Sequence, residues 1–147
     1  MIKPVVGPSL LNLEPAVDPL PPWRQALAVA TPETMVKLLV DISSWAKNHP
    51  KSSGAWTLLG DAYLRINQPY AAQKAYRTVL SHTPTHAPAR EGLGLALLQT
   101  GEAAEASKHF GKAHALDPAS AEILVHWGLA LVQLKNLKAA HNRFQMA

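Results

Sequence analysis

Trp56-Thr57-Leu58-Leu59-Gly60-Asp61-Ala62-Tyr63, with Ala72, Tyr76 and Pro84 behind it, is the stretch on which the fold turns. Its landmarks return at a constant step. Gly60, Gly94 and Gly128 lie 34 residues apart, and so do Ala72, Ala106 and Ala140, the aromatics Tyr76, Phe110 and Phe144, and Pro50, Pro84 and Pro118. Four residue types on one period mark an internal repeat of the length that stacks helical hairpins into a solenoid. Each type has a mechanical reason to recur. A mid-helix glycine costs about 0.8–1 kcal/mol against alanine, so its return implies a partner helix crossing where a side chain would clash. The alanine is the small residue on that opposite helix. The aromatic four residues later lies on the same face, one turn on, and fills the space between hairpins. The proline follows a helix end, because it can neither continue a helix nor donate to its ladder.

Trp56, Leu59, Gly60, Tyr63, Ala72, Tyr76 and Pro84 resemble the tetratricopeptide-repeat (TPR) pattern W-x2-L-G-x2-Y, A-x3-F, P, with Tyr in place of Phe. A second unit keeps Leu93, Gly94, Ala106, Phe110, Ala113 and Pro118, with Arg90 and Leu97 where the first has Trp56 and Tyr63. A third keeps Gly128, Ala140 and Phe144, with Leu124 and Trp127 in apolar places. The resemblance implies an all-α fold, a right-handed α-α superhelix of helical hairpins, with repeats over 53–86, 87–120 and 121–147. Helices are expected near 54–66, 70–82, 87–99, 103–115, 119–134 and 137–147, with turns at Asn67-Gln68-Pro69 and Thr100-Gly101-Glu102. Asp117-Pro118 reads as the cap and first helical position of the third repeat.

Upstream, Thr31-Pro32-Glu33 is a helix start, and Val36, Leu39, Val40, Ile42 and Trp45 are read as the apolar face of the helix that follows. With a short helix around Trp23–Val29 it makes a degenerate hairpin over 23–52. Residues 1–22, dense in proline, read as an extended arm. The third repeat is expected to leave its inner side bare, because solenoids usually carry a polar capping helix. A fragment of a longer protein, or association with another copy, accounts for such an end.

Composition narrows the function classes. Only 16% of the 147 residues are charged and nearly half are apolar, which argues against wholesale disorder. The formal charge is +4, but the basic residues are spread from Lys3 to Arg143 without a run, unlike a nucleic-acid footprint. No cysteine is present, so disulfides, thiolate nucleophiles and Cys-based zinc sites are excluded. No apolar run of about 18 residues offers a membrane span. The prolines of the first residues break any signal-peptide core. A cytoplasmic location is expected, or a periplasmic one if an upstream signal or anchor was removed.

The seven histidines make no metal site. Pro84 separates His82 from His86, His109 and His114 sit on poorly matched faces, and His49, His126 and His141 lack acidic companions at ligand spacing. Gly92 and Gly94 sit in a helical pattern and are packing glycines, not a phosphate loop. Lys74, Arg77, Lys108, Lys112, Lys138 and Arg143 recur on the second helices as a solvated basic stripe on the convex side. No catalytic set and no cofactor motif stands out, and no enzymatic activity is expected.

The functional surface that the resemblance implies is the concave groove lined by the first helix of each hairpin. Spacing places Thr57, Asp61, Leu64 and Arg65 there, then Glu91, Leu95, Leu98 and Gln99, then Val125, Leu129, Val132 and Gln133. Some TPR domains carry Lys, Asn and Arg in such places to clamp the acidic carboxyl terminus of a chaperone. Here they hold residues such as Thr57, Asp61, Gly92 and His126, so that clamp is absent. The groove turns apolar toward its C-terminal half and suits a helix or extended apolar segment; the same leucines and valines read equally well as core. Leu95, Leu98, Val125, Leu129 and Val132 would anchor a partner, with Asp61, Arg65, Glu91 and Gln133 setting its orientation. Residues Val5–Leu20 could occupy the groove of their own chain or a neighbour's.

The leading expectation is a non-catalytic protein-interaction scaffold or assembly factor with a protein or peptide partner. Met35-Val36, Leu39, Asn48-His49-Pro50, Trp56, Leu59 and Tyr63 are further similar to the TPR portion of bacterial cytochrome c maturation subunits, which present apocytochrome tails to the haem-ligation machinery. The alternatives are a TPR segment of a larger glycosyltransferase or methyltransferase, and a self-associating module forming a homo-oligomer through its open C-terminal repeat. Nucleic acid and membrane are not expected as partners.

Overall fold

Ser52, His86 and Ser120 share one place in the 34-residue register, and each starts a helix by the same device. In the computed structural model, which describes residues 20–147, a side-chain atom of each accepts from the backbone N–H three residues on. Ser52 Oγ takes Ala55 at 3.2 Å, His86 Nδ1 takes Ala89 at 3.1 Å, and Ser120 Oγ takes Ile123 at 3.4 Å. These N-caps satisfy donors that the first helical turn leaves open. Asp117-Pro118 lies in the loop before Ser120, so the expected Asp-Pro start of the third repeat is wrong: the hydroxyl two residues after the proline caps the helix instead.

The described residues form eight helices: α1 Leu20–Val29, α2 Pro32–Asn48, α3 Ser53–Arg65, α4 Pro69–His82, α5 Ala87–Gln99, α6 Ala103–Leu116, α7 Ala121–Gln133 and α8 Leu137–Met146. Leu20 and the two prolines after it are the first turn of α1, so the expected arm over 1–22 gives way to helix at Leu20. Residues 1–19, on which the rest of that arm falls, lie outside the described residues.

Helices α3, α5 and α7 end alike. Asn67, Gly101 and Lys135 take positive φ (57°, 84° and 58°). Their N–H groups reach back to Leu64, Leu98 and Val132, while the next N–H groups reach Tyr63, Leu97 and Leu131. Crossed bonds of this kind close the last carbonyls of a helix and reverse the chain into the next one.

The helices pair as four hairpins, and each second helix also packs on the first helix of the next hairpin. Along the stack α1 meets α3, α3 meets α5 and α5 meets α7, whereas α4, α6 and α8 make no comparable contacts with one another. Two rows with unequal spacing curve the stack toward the closer row, giving a right-handed α-α superhelix with α1, α3, α5 and α7 inside.

The core divides along the stack. Leu27, Met35, Leu38, Ile42, Trp45, Leu58 and Leu59 bury together at the α1–α3 end. Tyr76, Val79, Leu93, Leu97 and Phe110 bury together around α4–α6. In α2 the buried face is Met35, Leu38, Ile42 and Trp45, spaced three or four apart. Val36 and Val40, read from the sequence as part of that face, point to solvent; the two apolar stripes lie side by side on the helix, and packing on α1 and α3 selects one.

Candidate interaction groove

Gly60 and Gly92 make a slot for one ring. A Cβ on Gly60 would stand 2.6 Å from the Tyr76 ring, and one on Gly92 would overlap it from the other side. Tyr76, fully buried, therefore passes between α3 and α5, and its hydroxyl reaches the inner row to donate to Asp61 Oδ1 at 2.6 Å. One repeat on, Phe110 lies against Gly94 but has no hydroxyl, and the place of Gly92 is taken by His126. The His126 ring sits 6.0 Å from Phe110, and its Nδ1 is 2.7 Å from Glu91 Oε1. The two repeats thus reach similar ends by different means: a carboxylate on the inner row, held by a polar group where the buried aromatic meets the next helix. In the third repeat Phe144 lies against Gly128 and is 41% exposed.

The twelve residues assigned to the groove by spacing do not all reach solvent. Thr57 is a correction: it is buried, 4% exposed, and its hydroxyl donates to the Ser53 carbonyl at 2.7 Å. A hydroxyl bonded within its own helix has no donor left for a partner. Leu64, Leu95 and Leu98 are half-buried and rest on the α4–α6 core. Val125, Leu129 and Val132, spaced i, i+4 and i+7 along α7, are 40%, 46% and 42% exposed. Arg65, Gln99 and Gln133 are exposed at the helix ends. The gradient of exposure along these residues follows from whether each has a helix packed on both sides.

Two carboxylates mark the polar end of the row. Burial pushes the Asp61 carboxyl above the usual range, and Glu91 acts in the same direction, against the hydrogen bond from Tyr76 and the nearby Arg24. The Tyr76 phenol is pushed upward by burial and by Asp61, so it stays a proton donor. Burial and Arg24 lower His86, which keeps the neutral ring that accepts from Ala89.

Sequence reading missed a second recess. Ala30, Met35, Val36, Leu39 and Val40 of the first hairpin, with Arg65 and Ile66 from the end of α3, line an apolar cleft of about 460 Å³. Its signal was the second apolar stripe of α2. The convex basic stripe also needs amendment. Arg77 pairs with Glu105 at 3.0 Å, and the Arg143 guanidinium lies 4.0 Å over the Trp127 ring, so that side chain covers the α7–α8 core edge and is not freely solvated. Among the described residues no group of three His, Asp or Glu is placed to hold a metal, and no helix is long and apolar enough to cross a membrane.

The family model of the tetratricopeptide repeat matches residues 53–86. No curated protein matches the chain. Among solved structures, the MamA protein superposes with a TM-score of 0.74 at 19% identity, covering 84% of this chain and 66% of that one. A MamA fragment (41-end) from Desulfovibrio magneticus RS-1 gives 0.73 at 25% identity, over 87% of this chain and 72% of that one. The second TPR of Spaghetti (RPAP3), bound to the HSP90 peptide SRMEEVD, gives 0.63 at 19% identity, over 69% of this chain and 94% of that one. The chain thus spans just under two thirds of the first MamA structure. These likenesses establish the fold, and they lend no support to the similarity with cytochrome c maturation subunits.

Proposed function

For a chain built of tetratricopeptide repeats, we propose the role of a non-catalytic scaffold that holds a segment of another polypeptide on its inner row of helices. The observation that carries this reading is the exposed ladder Val125, Leu129 and Val132 on α7, continuous with the half-buried Leu95 and Leu98 on α5. Aliphatic side chains aligned on one face and left 40–46% open to water gain free energy when covered, at about 25 cal/mol per Å². The equivalent places in the first repeat hold Thr57, Asp61 and Leu64, so the apolar anchoring is concentrated in the second and third repeats. The solved RPAP3 domain with its HSP90 peptide supports peptide binding as a use of this hairpin geometry. The lack of clamp residues here points to an occupant other than an acidic tail.

Replacement of Leu129 by Glu tests the reading. The side chain is exposed, so the fold should survive and circular dichroism should be unchanged. Affinity capture from the source organism should yield proteins on the wild-type chain that are lost on L129E. Identical captures on both would overturn the groove as the binding surface.

A further inference from the structure

Across α3–α8, charge is sorted between the two rows of helices. Outer helices α4, α6 and α8 carry Lys74, Arg77, Lys108, Lys112, Lys138 and Arg143 against the single acid Glu105. Inner helices α3, α5 and α7 carry Asp61, Glu91 and Glu122. Of the two bases on those inner helices, Arg65 sits at the end of α3, and Arg90 is turned away, donating to the Pro84 carbonyl at 2.9 Å and lying against His109 of α6. Arg24 on α1 adds a base to the inner row at the first hairpin, so the groove is acidic as well as apolar over α3–α7 and not along its whole length, in a protein whose formal charge is +4.

Asp61 and Glu91 stand on neighbouring inner helices; the Glu91 charge acts on Asp61, and so, in the opposite sense, does Arg24 from α1 without reaching ion-pair distance. Among the described residues neither is paired with a lysine or arginine. A phenol holds one oxygen of Asp61 and an imidazole holds one oxygen of Glu91. A half-buried carboxylate with no lysine or arginine at ion-pair distance costs stability. Beside the two acids begins the apolar stretch of Leu95, Leu98, Leu129 and Val132.

We propose that the segment seated in this groove presents a lysine or arginine to Asp61 and Glu91, with its neighbouring apolar side chains lying on Leu95, Leu98, Leu129 and Val132. Complementarity selects this chemistry. An acidic tail would meet two like charges. A wholly apolar segment would cover both carboxylates and bring no charge at ion-pair distance, deepening the cost of their burial. A basic side chain lays its methylene stem on the leucines while its head meets the carboxylates. The inference rests on the groove reading above and adds the charge of the occupant.

Display of random 12-residue peptides on the immobilised full chain tests it. Wild type should enrich peptides with Lys or Arg flanked by Leu, Ile, Val or Phe. Asp61→Asn with Glu91→Gln keeps oxygens for Tyr76 and His126 while removing both charges. This double variant should bind a selected peptide at least about tenfold more weakly and enrich apolar peptides with no preference for a base. Wild-type enrichment of apolar peptides without a base, or of acidic ones, would overturn the basic occupant and leave the groove reading standing. Peptides that bind L129E and wild type equally would overturn both. A photo-crosslinker at Val125 that captures residues 1–19 or a second copy of the chain, and not the selected peptide, would replace the external partner with that occupant.

Discussion

Asp61 sets the cost of a buried charge against the hydrogen bond that it accepts from Tyr76. Its carboxyl is held above the ordinary range in the folded chain, mainly because burial penalises the charge. A raised folded pKa contributes stability that is fully present below the unfolded value and is lost as pH rises through the folded one. Wild type is therefore expected to lose stability relative to Asp61→Asn as pH climbs from about 4 toward neutrality. Asparagine keeps an oxygen for the Tyr76 hydroxyl, so the two proteins should converge at the acid end. Chemical denaturation across that pH range measures the difference; parallel curves would show that the charge costs the fold nothing. Asp61→Asn would then stabilise the protein, while the double variant that contains it weakens binding. In the sequence the tyrosine at this place looked like a simple replacement for phenylalanine. Its hydroxyl had a purpose that became legible only when Gly92, sixteen residues on and in the next repeat, was seen to open its path.

At the scale of the element, the inner helices are set by their ends. The N-cap of α7 is Ser120, whereas Asp117 closes α6 through its backbone N–H and caps nothing on α7. Ser120→Ala is expected to destabilise the third repeat by about 1 kcal/mol, whereas Asp117→Ala should stay within about 0.5 kcal/mol. Thermal unfolding of the two variants separates the assignments, and a larger loss for Asp117 would reverse them. Position 86 carries a histidine ring doing the work of the serines at 52 and 120. Residue-type rules pass over such a cap because imidazole is an uncommon acceptor there, although the 34-residue register pointed to it. The turns were readable from Asn67 and Gly101, residues that tolerate positive φ, while Lys135 adopts the same angle without that advantage.

Across the whole molecule, the same aromatic place reports how well each hairpin is covered. Tyr76 and Phe110 are fully buried between successive hairpins, and Phe144 on α8 is 41% exposed, with Leu137 and Met146 exposed near it. Stability in a stack is a sum of hairpin and interface terms, so hydrogen exchange should be faster in α8 than in α4 and α6. Protection of α8 equal to that of α6 would contradict this ordering. Protection that rises with protein concentration would identify a second copy of the chain as the cover. The sequence by itself determined the period, the helix pairs and the helix face on which the spaced residues fall, because packing glycines, alanines and aromatics must recur wherever identical hairpins stack. Only the tertiary structure decided which residues of that face meet water. Thr57 and Val125 occupy the same register place, yet one is buried and bonded within its helix and the other is open. That difference depends on neighbours supplied by other helices, and so does the pairing of Asp61 with Tyr76 and of Glu91 with His126. Periodicity records what a repeat shares with its copies; contacts between unlike neighbours make the inner row uneven, apolar at one end and polar at the other.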